Sequence, residues 1–415
     1  MKRYSIYILL IVTVLITSCR EDKAYDSAYI SPIELKLSYR MFGDTKPYSS
    51  PLKMILTNNT EQITYQRESD LWGQFVLTEL LPGEYTINVT GKLTAEEATE
   101  ATGETASKDA NLVGFISNVK LKQTADVSLD KIKLMLPPPS ALILKELYYA
   151  GSHTPSGGNY RNDNFYSIYN NTATPISLND IYISSIESYG GFNVAGPLWP
   201  GEVVGEYKNI YAQAVWKVIA DDAIPVFIQP GQTVIIAGMA APHNKEEQYN
   251  LNSPVDLSIA DYEAYSPDPS NKFADFAAPN MLRSFWPNYI DLWLISVFGQ
   301  GIALIQASKS EFSQFETVTL PESLQDPFES EEYWLCKKIP TEYVIDAVDL
   351  IQNKTTTITK RFPPVLDSGF ATVASTYGGV SVVRKVLSTE GNRIIYQDTN
   401  NSTEDFEVND KPLSK

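Results

Sequence analysis

Short runs of alternating hydrophobic and polar residues make up much of the first third of this chain. Alternation with a period of two is typical of β-strands, because successive side chains point to opposite faces. Seven short strands at such spacing predict a β-sandwich. Between residues 31 and 137 the predicted strands are Ile33–Tyr39, Leu52–Thr57, Gln62–Gln66, Gln74–Glu79, Glu84–Thr90, Val113–Lys120 and Val127–Leu136.

Apolar runs continue through residues 138–415 and predict a second, larger β domain. Three consecutive prolines, Pro137 to Pro139, form a stiff extended spacer before it. We therefore expect a mostly β fold of two β-sandwich domains, residues 31–137 and 138–415. Predicted strands of the second domain are Ala141–Tyr149, Asn164–Asn171, Leu292–Phe298, Ile302–Gln306, Tyr343–Val348 and Val380–Val386, and Val226–Ala237 is predicted to be a Pro230-Gly231 turn followed by an apolar strand.

The segment from Thr94 to Ala110 departs from the strand pattern. It is rich in Ala, Thr and Glu, and its acidic residues lack an opposing apolar stripe. A helix without an apolar face has little to pack against a core. The segment is therefore predicted to be a mobile loop or a frayed helix.

The first 18 residues have the pattern of a secretory signal peptide. Lys2 and Arg3 precede an apolar stretch, Ile6 to Ile16, and the small residues Thr17 and Ser18 follow it. The stretch is too short for a bilayer-spanning helix, which needs about 20 apolar residues. Cleavage is expected before Cys19.

The residues around the expected cleavage site resemble the lipobox of bacterial lipoproteins. The resemblance implies that the sulfur of Cys19 carries diacylglycerol and that its new amino terminus is acylated. Several acyl chains would hold the protein at a membrane, since each buried methylene contributes about 0.8 kcal/mol. The charged cluster from Arg20 to Lys23 resembles the export signal of Bacteroidetes surface lipoproteins. Residues 19–30 are then a tether, and the expected location is the outer membrane, lipid-anchored and exposed at the cell surface.

Composition narrows the range of partners. The chain holds 50 acidic and 33 basic residues, with a formal charge of -17. Nucleic acid is excluded as an expected partner, because binding its phosphates depends on clustered positive charge. Only two cysteines occur, so with Cys19 lipidated no internal disulfide is expected. Cys336 lies in an apolar run and is predicted to be a core thiol.

The stretch from Gly73 to Val89 resembles part of a known module. A strand enters the Pro82-Gly83 turn, and a second strand leaves it with Tyr85, Ile87 and Val89 on one face. This pattern is similar to that of carboxypeptidase-regulatory-like, or transthyretin-like, domains. Such domains are usually non-catalytic spacers or binding modules, so the resemblance implies support rather than chemistry.

The second domain opens like a lamin-tail-like domain, which is an Ig-like β-sandwich. The resemblance is carried by the strand ending at Tyr149, the stretch Asn164–Asn171 and the Pro175–Leu178 step. It requires long insertions, around residues 185–220 and 240–290. The whole chain also resembles an uncharacterised Bacteroidetes lipoprotein family of unknown function. The ending carries that likeness, in Val382–Lys385, Asp398–Ser402 and Asp405-Phe406.

Catalytic signatures are scarce. The G-x-S-x-G nucleophile elbow is absent, as are H-E-x-x-H and paired C-x-x-C motifs. Only His153 and His243 could serve as imidazole bases. His153 lies in the Gly151–Gly158 stretch, which is predicted to be a flexible, ligand-facing loop. Asp398–Ser402 is predicted to be a structural cluster of Asx turns.

No cofactor is expected, with calcium as the one alternative. Calcium requires only oxygen ligands, and one Pro-rich insertion supplies them without EF-hand spacing. Such acidic loops are more often simply solvated. The candidate ligands are Asp256, Asp261, Glu263, Asp268, Asn271 and Asp275.

Aromatic residues offer candidate sugar-stacking surfaces. Trp199 lies between Gly196-Pro197 and Pro200-Gly201, which predicts a ring displayed on a loop. Together with His153 and Tyr160 it forms the predicted set of ligand-facing residues. Most other aromatics at strand spacing are predicted to be core.

The leading functional interpretation is a non-catalytic, membrane-anchored surface lipoprotein that binds a glycan or protein partner. By its expected location it would be an accessory of outer-membrane nutrient uptake, and an outer-membrane transport protein is a candidate partner. One alternative is a carboxylate-based polysaccharide hydrolase, which needs two carboxyl groups about 5 to 10 Å apart in a cleft. Another is an adhesin or structural surface protein.

Overall fold

The computed structural model describes most of the chain after residue 45. The described residues are 37–38, 46–59, 61, 63–103, 109–121, 140–186, 199, 202, 207–221, 226–267, 273–287, 292–322, 331–356, 360–373 and 375–414. The predicted signal peptide, Cys19 and the whole of the predicted tether lie outside them. So do the predicted strand Val127–Leu136 and the proline spacer.

The amino-terminal part forms a small β unit with its own core. Its four-stranded antiparallel sheet has the order β3-β2-β5-β6, and β1 pairs with β4. Alternate residues of β2 and β5, such as Met54 and Ile87, are fully buried. The elements are β1 (Leu37–Ser38), β2 (Lys53–Asn58), β3 (Ile63–Glu68), β4 (Gln74–Phe75), β5 (Gly83–Leu93), α1 (Ala95–Thr102) and β6 (Ala110–Leu121).

Helix α1 corrects the prediction of a loop or frayed helix between β5 and β6. Thr94 Oγ1 accepts a hydrogen bond from Glu97 N, and the Glu97 carboxylate accepts one from Thr94 N. This reciprocal capping box satisfies two backbone donors at the start of the helix. The same carboxylate accepts bonds from Ser49 N and Oγ, each 2.8 Å long, and Ala98 is buried. The helix is therefore packed against the sheet despite its acidic composition.

The described residues from 140 onward form a larger β unit. Its first sheet has the order β16-β15-β10-β7-β23-β26, and its second the order β19-β20-β13-β12-β18-β21-β22, with β17 paired to β13. The strands are β7 (Leu142–Tyr148), β8 (Ser152–His153), β9 (Asn159–Tyr160), β10 (Phe165–Asn170), β11 (Ile176–Ser177), β12 (Ile181–Ile186), β13 (Asn209–Lys217), β14 (Phe227–Ile228), β15 (Thr233–Ala237), β16 (Tyr262–Glu263), β17 (Leu282–Phe285), β18 (Gly301–Gln306), β19 (Thr317–Thr319), β20 (Leu335–Pro340), β21 (Val344–Ile351), β22 (Ala371–Thr372), β23 (Ser381–Arg384), β24 (Val386–Glu390), β25 (Arg393–Tyr396) and β26 (Phe406–Asn409). The two short helices are α2 (Lys309–Gln314) and α3 (Ser402–Asp405).

The two sheets share one hydrophobic core, so the prediction of a mostly β, sandwich-rich fold is confirmed. Leu144 and Ile168 of the first sheet lie in the same buried cluster as Trp216 and Leu304 of the second. The outer faces are also covered. Tyr396 of the β24–β25 hairpin packs over the first sheet, and Phe312 of α2 packs over the second. This double covering explains why β7, β10 and β12 are buried along their whole length.

Two stretches differ from the predicted strands. Residues 292–298 alternate between buried and less buried positions as expected, but they pair with no strand among the described residues. Conversely, β13 lies between β12 and β20 in the second sheet, although residues 185–220 were predicted to be an insertion. Strand β13 is thus part of the scaffold.

Two buried ion clusters tie the carboxyl-terminal segments to the sandwich. Arg384 Nη2 donates to both carboxylate oxygens of Asp346, at 2.7 and 2.9 Å, while Nη1 lies 3.1 Å from Asp398 Oδ1 and 3.3 Å from Asp405 Oδ2. The second cluster joins Lys360 and Arg361 to Asp349 and Asp367. The first cluster therefore sets one guanidinium against three carboxyl groups, while the second has equal numbers of basic and acidic groups.

Candidate functional site

The candidate site lies at the end of the first sheet where β7 and β15 end and β10 begins. Here the β8–β9 hairpin meets the segment that follows β15. Four aromatic side chains gather at this end: His153, Tyr160, Tyr249 and Tyr377. We call them the aromatic corner. His153 is exposed, and the three tyrosines are half-buried.

The turn that joins β8 to β9 is held by hydrogen bonds. Thr154 Oγ1 accepts a bond from Gly158 N at 2.8 Å, and Thr154 N donates to Gly158 O, also at 2.8 Å. Gly157 adopts a φ of 82°, which a glycine tolerates without steric cost. The stretch predicted to be a flexible loop is therefore a hydrogen-bonded hairpin that holds His153 and Tyr160 on adjoining strands.

A buried carboxylate fastens this hairpin to the segment after β15. Asp163 Oδ2 accepts hydrogen bonds from Ser253 Oγ at 2.7 Å, Ser152 Oγ at 2.8 Å and Tyr148 OH at 3.3 Å. Asn250 Nδ2 adds a 2.8 Å bond to Ser152 Oγ. Burial raises the pKa of Asp163, and the hydroxyl donors partly offset that rise. The network positions the hairpin rather than supplying a reactive group.

His243 is a neutral imidazole that is hydrogen-bonded to the aromatic corner. Nε2 lies 3.0 Å from the carbonyl oxygen of Met239, which can only accept, so Nε2 carries the proton. Nδ1 then accepts a 2.7 Å hydrogen bond from Tyr160 OH. Burial lowers the pKa of His243 to about 4. Both ring nitrogens are engaged, so this histidine is not free to act as a general base.

Tyr377 is held in an uncommon backbone conformation. Its φ is +57°, in the left-handed region that side chains other than glycine rarely adopt. Its N–H donates to Ala150 O at 2.5 Å, and Gly379 N donates to Gly151 O at 2.9 Å. The Tyr377 ring lies 5.9 Å from the His153 ring, centroid to centroid. A left-handed residue costs about 1–2 kcal/mol, and strain of this kind is often found at functional sites.

The chemistry of the corner favours binding. Among the described hydrogen bonds, the Ser152 and Ser253 hydroxyls both donate to Asp163 rather than to a histidine. A nucleophilic serine needs a base within hydrogen-bond reach. The rings of His153 and Tyr377, by contrast, form an ordered surface on which the apolar face of a ligand can pack.

Of the three predicted ligand-facing residues, two lie on one hairpin but on opposite faces, because Ser152 is opposite Tyr160 and the next residue, His153, points the other way. His153 and Tyr160 both belong to the corner. Trp199 does not, and the prediction of a displayed ring is wrong. Its side chain is only 5% exposed and stacks on Tyr211 with the ring centroids 3.6 Å apart. Cys336 is fully buried in the same cluster, as predicted for a core thiol.

The candidate calcium ligands are engaged in local structure where they are described. Asp256 pairs with Lys245 and caps a short 3₁₀ turn, and Asp261 Oδ2 accepts from Ile235 N at 2.8 Å. Glu263 accepts from Ala240 N and Phe276 N, and Asp275 accepts from Asn280 Nδ2. Asp268 and Asn271 lie outside the described residues. Within the described ranges, no group of three or more His, Cys, Asp or Glu side chains is placed to hold a metal ion.

Sequence reasoning missed Asp163, His243 and Tyr377 as members of this site. They come from three distant segments, and no motif connects them. The one available signal in the sequence was that the chain has only two histidines, which made His243 stand out as a candidate. The left-handed backbone of Tyr377 leaves no mark in the sequence beyond the glycines at 378 and 379.

Comparison with known proteins assigns the family. No helix among the described residues is long and apolar enough to cross a bilayer. No curated protein matches the chain. A profile described as "Protein of unknown function (DUF4876)" matches residues 229–413. The crystal structure of a DUF4876 family protein from Bacteroides thetaiotaomicron VPI-5482 shares 30% sequence identity, with a TM-score of 0.57 over 89% of this chain and 94% of that one. The chain belongs to the DUF4876 family.

Proposed function

We propose that this protein is a non-catalytic lipoprotein, anchored at the outer membrane through Cys19, that binds a glycan through the aromatic corner. It would act as an accessory of nutrient uptake at the cell surface. The observation that carries the binding role is the fixed display of His153 and Tyr377 on a hydrogen-bonded and locally strained scaffold. Ordering a binding surface in advance reduces the entropy lost on association.

Uncharged sugars fit this surface better than charged ligands. The rings of His153 and Tyr377 offer apolar faces on which a sugar ring can pack. The formal charge of -17 disfavours polyanions as partners. A neutral carbohydrate meets both conditions, because its ring carries an apolar face and a hydroxyl edge.

The polysaccharide hydrolase is the weaker candidate. Its carboxyl pair must face a cleft that admits a sugar chain. The three aspartates gathered around Arg384 have side chains only 2%, 6% and 1% exposed. Protein encloses these carboxyl groups, so they do not face a cleft for a sugar chain and instead stabilise the fold. An adhesin or structural role is the outcome if no sugar binds.

Substitution of Tyr377 tests the binding role. In isothermal titration of the chain from Lys23 onward with a panel of neutral oligosaccharides, we expect at least one ligand to bind. Tyr377→Ala should weaken that binding at least tenfold, a loss of about 1.4 kcal/mol. Phe227→Ala is the matched control, because Phe227 is 53% exposed and lies toward the opposite end of the sheet. Equal affinities for all three proteins, or products of sugar cleavage, would contradict the proposal.

Substitution of Cys19 tests the anchor. In native cells the unaltered protein should fractionate with the outer membrane and be cut by protease added to intact cells. Cys19→Ser removes the sulfur that would carry lipid, so the protein should move to the soluble fraction. Mass spectrometry should find acyl groups on the amino-terminal peptide of the unaltered protein alone. An unmodified Cys19 in the native protein would refute the anchor.

A further inference from the structure

Lys360, in the segment after β21, lies between two aspartates, Asp349 of β21 and Asp367. Lys360 Nζ lies 3.1 Å from Asp349 Oδ2 and 3.5 Å from Asp367 Oδ2. The lysine side chain is 6% exposed, and both aspartates are fully buried. The ring centroid of Phe370 lies 4.2 Å from Nζ. An amine and two carboxyl groups are thus held together in a place that excludes bulk water.

Arg361 is aimed at the carboxyl group of Asp349. Its Nη1 donates to Oδ1 at 2.6 Å, and its backbone N–H donates to Oδ2 at 3.0 Å. If a nucleophile attacked Cγ of Asp349, negative charge would grow on these oxygens. These donors and the charge of Lys360 hold the pKa of Asp349 below its usual range although burial raises it, so Oδ2 must receive a relayed proton before it can leave.

Asp367 is placed to exchange protons with Lys360. Its oxygens accept hydrogen bonds from the backbone N–H groups of Asp349, Gly369 and Ser402 and from Ser402 Oγ, at 2.7 to 2.9 Å. Burial raises its pKa, the charge of Lys360 lowers it and the charge of Asp349 raises it again. A carboxyl group with a raised pKa is a stronger base than an ordinary aspartate, so it can take up a proton and return it.

We propose that Lys360 and Asp349 condense in the folded protein to an intramolecular amide, with Asp367 as the proton relay. Asp367 takes a proton from the Lys360 ammonium, and the freed lone pair on Nζ attacks Cγ of Asp349. The Nζ–Cγ bond forms and the Cγ–Oδ2 bond breaks. Oδ2 leaves as water with two protons that both came from the ammonium, and the third proton stays on the amide nitrogen.

Two physical factors favour this reaction over a permanent ion pair. Fixing the two groups in contact gives a high effective concentration. Forming the amide also removes two buried charges, whose desolvation is costly even when they are paired. Arg361 and Asp367 remain as one positive and one negative charge, so the site stays balanced. The bond would fasten the 360–369 segment to β21.

Intact-mass spectrometry of the folded chain from Lys23 onward tests this inference directly. We expect a mass one water molecule below that of the sequence. A tryptic peptide should join the segments that hold residues 349 and 360, and its fragmentation should place the bond at Asp349. A purified, cooperatively melting protein with the full sequence mass would overturn the proposal, as would a bond placed at Asp367.

Variants separate the roles. Lys360→Arg should restore the full mass. Asp349→Asn should lose one ammonia in place of water, because the leaving group is then an amide nitrogen. Asp367→Asn should leave most molecules uncondensed. Lys217→Arg is the matched control, since Lys217 is also buried and paired, 2.6 Å from Asp221, and its variant should keep the mass loss of the unaltered chain. An unchanged mass loss in Lys360→Arg would contradict the assignment.

Discussion

Replacing Arg384 by methionine is expected to lower the free energy of unfolding by about 3–5 kcal/mol, the usual cost of removing one partner from a buried ion pair. The guanidinium faces Asp346, Asp398 and Asp405, and its Nε donates to Leu144 O at 2.8 Å. Without it, three carboxyl groups would share a buried site with no opposing charge from this residue. Methionine fills much of the volume, so the loss reports charge rather than a cavity.

Denaturant unfolding at pH 8 measures this effect. Lys338→Met is the matched control, because Lys338 pairs with Glu316 at 3.0 Å on the surface, where such pairs contribute about 0–1 kcal/mol. The deficit of Arg384→Met should shrink at lower pH as the carboxyl groups take up protons. Equal stability of the two variants at pH 8 would show that the Arg384 cluster is not a stabilising junction.

The stability of the protein is expected to rise as the pH falls from 8 to 6.5. Burial raises the pKa of Asp346 to about 7 and that of Asp405 to about 6, while the charge of Arg384 lowers both. In the unfolded chain these groups take up protons only near their ordinary value of 3.8. The folded state therefore binds protons first, and linkage stabilises it as pH decreases through this window.

His243 opposes this trend at lower pH. Its pKa is about 4 in the folded protein and 6.5 when unfolded, so the unfolded state binds the proton first and stability is lost from pH 6.5 downward. Thermal melting between pH 8 and 5 should therefore show a continued rise that His243 makes shallower below pH 6.5 but does not reverse, because two aspartates gain protons on folding and one histidine loses one. Asp346→Asn should flatten the rise, and His243→Gln should make it steeper below pH 6.5. A melting temperature that falls steadily from pH 8 to 6.5 would disprove the account.

The alternating pattern located strands with one buried face well. Strand β5 was predicted as Glu84–Thr90 and spans Gly83–Leu93. Strands covered on both faces were harder, since they lack alternation. Strand β12 is buried along its whole length, and so is β13 apart from its first residue. All of β13 and the end of β12 lie within residues 185–220, which were predicted to be an insertion. Their placement depends on α2 and the 362–366 segment, which cover the outer face of the sheet.

Helix α1 and Trp199 show how local signals compete. Thr94 and Glu97 have the spacing of a capping box, which would have indicated the helix start better than the missing apolar stripe indicated a loop. The prolines and glycines around Trp199 favoured the prediction that its ring is displayed on a loop. The ring instead packs on Tyr211, a partner from β13 that no sequence pattern identifies.

The candidate site was only partly predictable for a related reason. His153 and Tyr160 share one short hairpin, so their proximity follows from local sequence. Tyr377 is placed beside them by its own backbone bond to Ala150 and by that of Gly379 to Gly151, across more than 200 residues. Contacts of that range are set by the topology of the whole sandwich.

The placement of β26 has a consequence for how the molecule is made. Buried Glu146, on β7, accepts hydrogen bonds from Asn409 Nδ2 and Leu413 N, across more than 260 residues. Strand β26 also closes one edge of the sheet that β7 helps to form. A ribosome delivers the amino end first, so the edge of β7 that pairs with β23 stays open until β23 has been made, more than 230 residues later, and β26 then pairs with β23. This delay prolongs the time during which strand edges are unpaired and can aggregate. A chaperone would be most useful during that time.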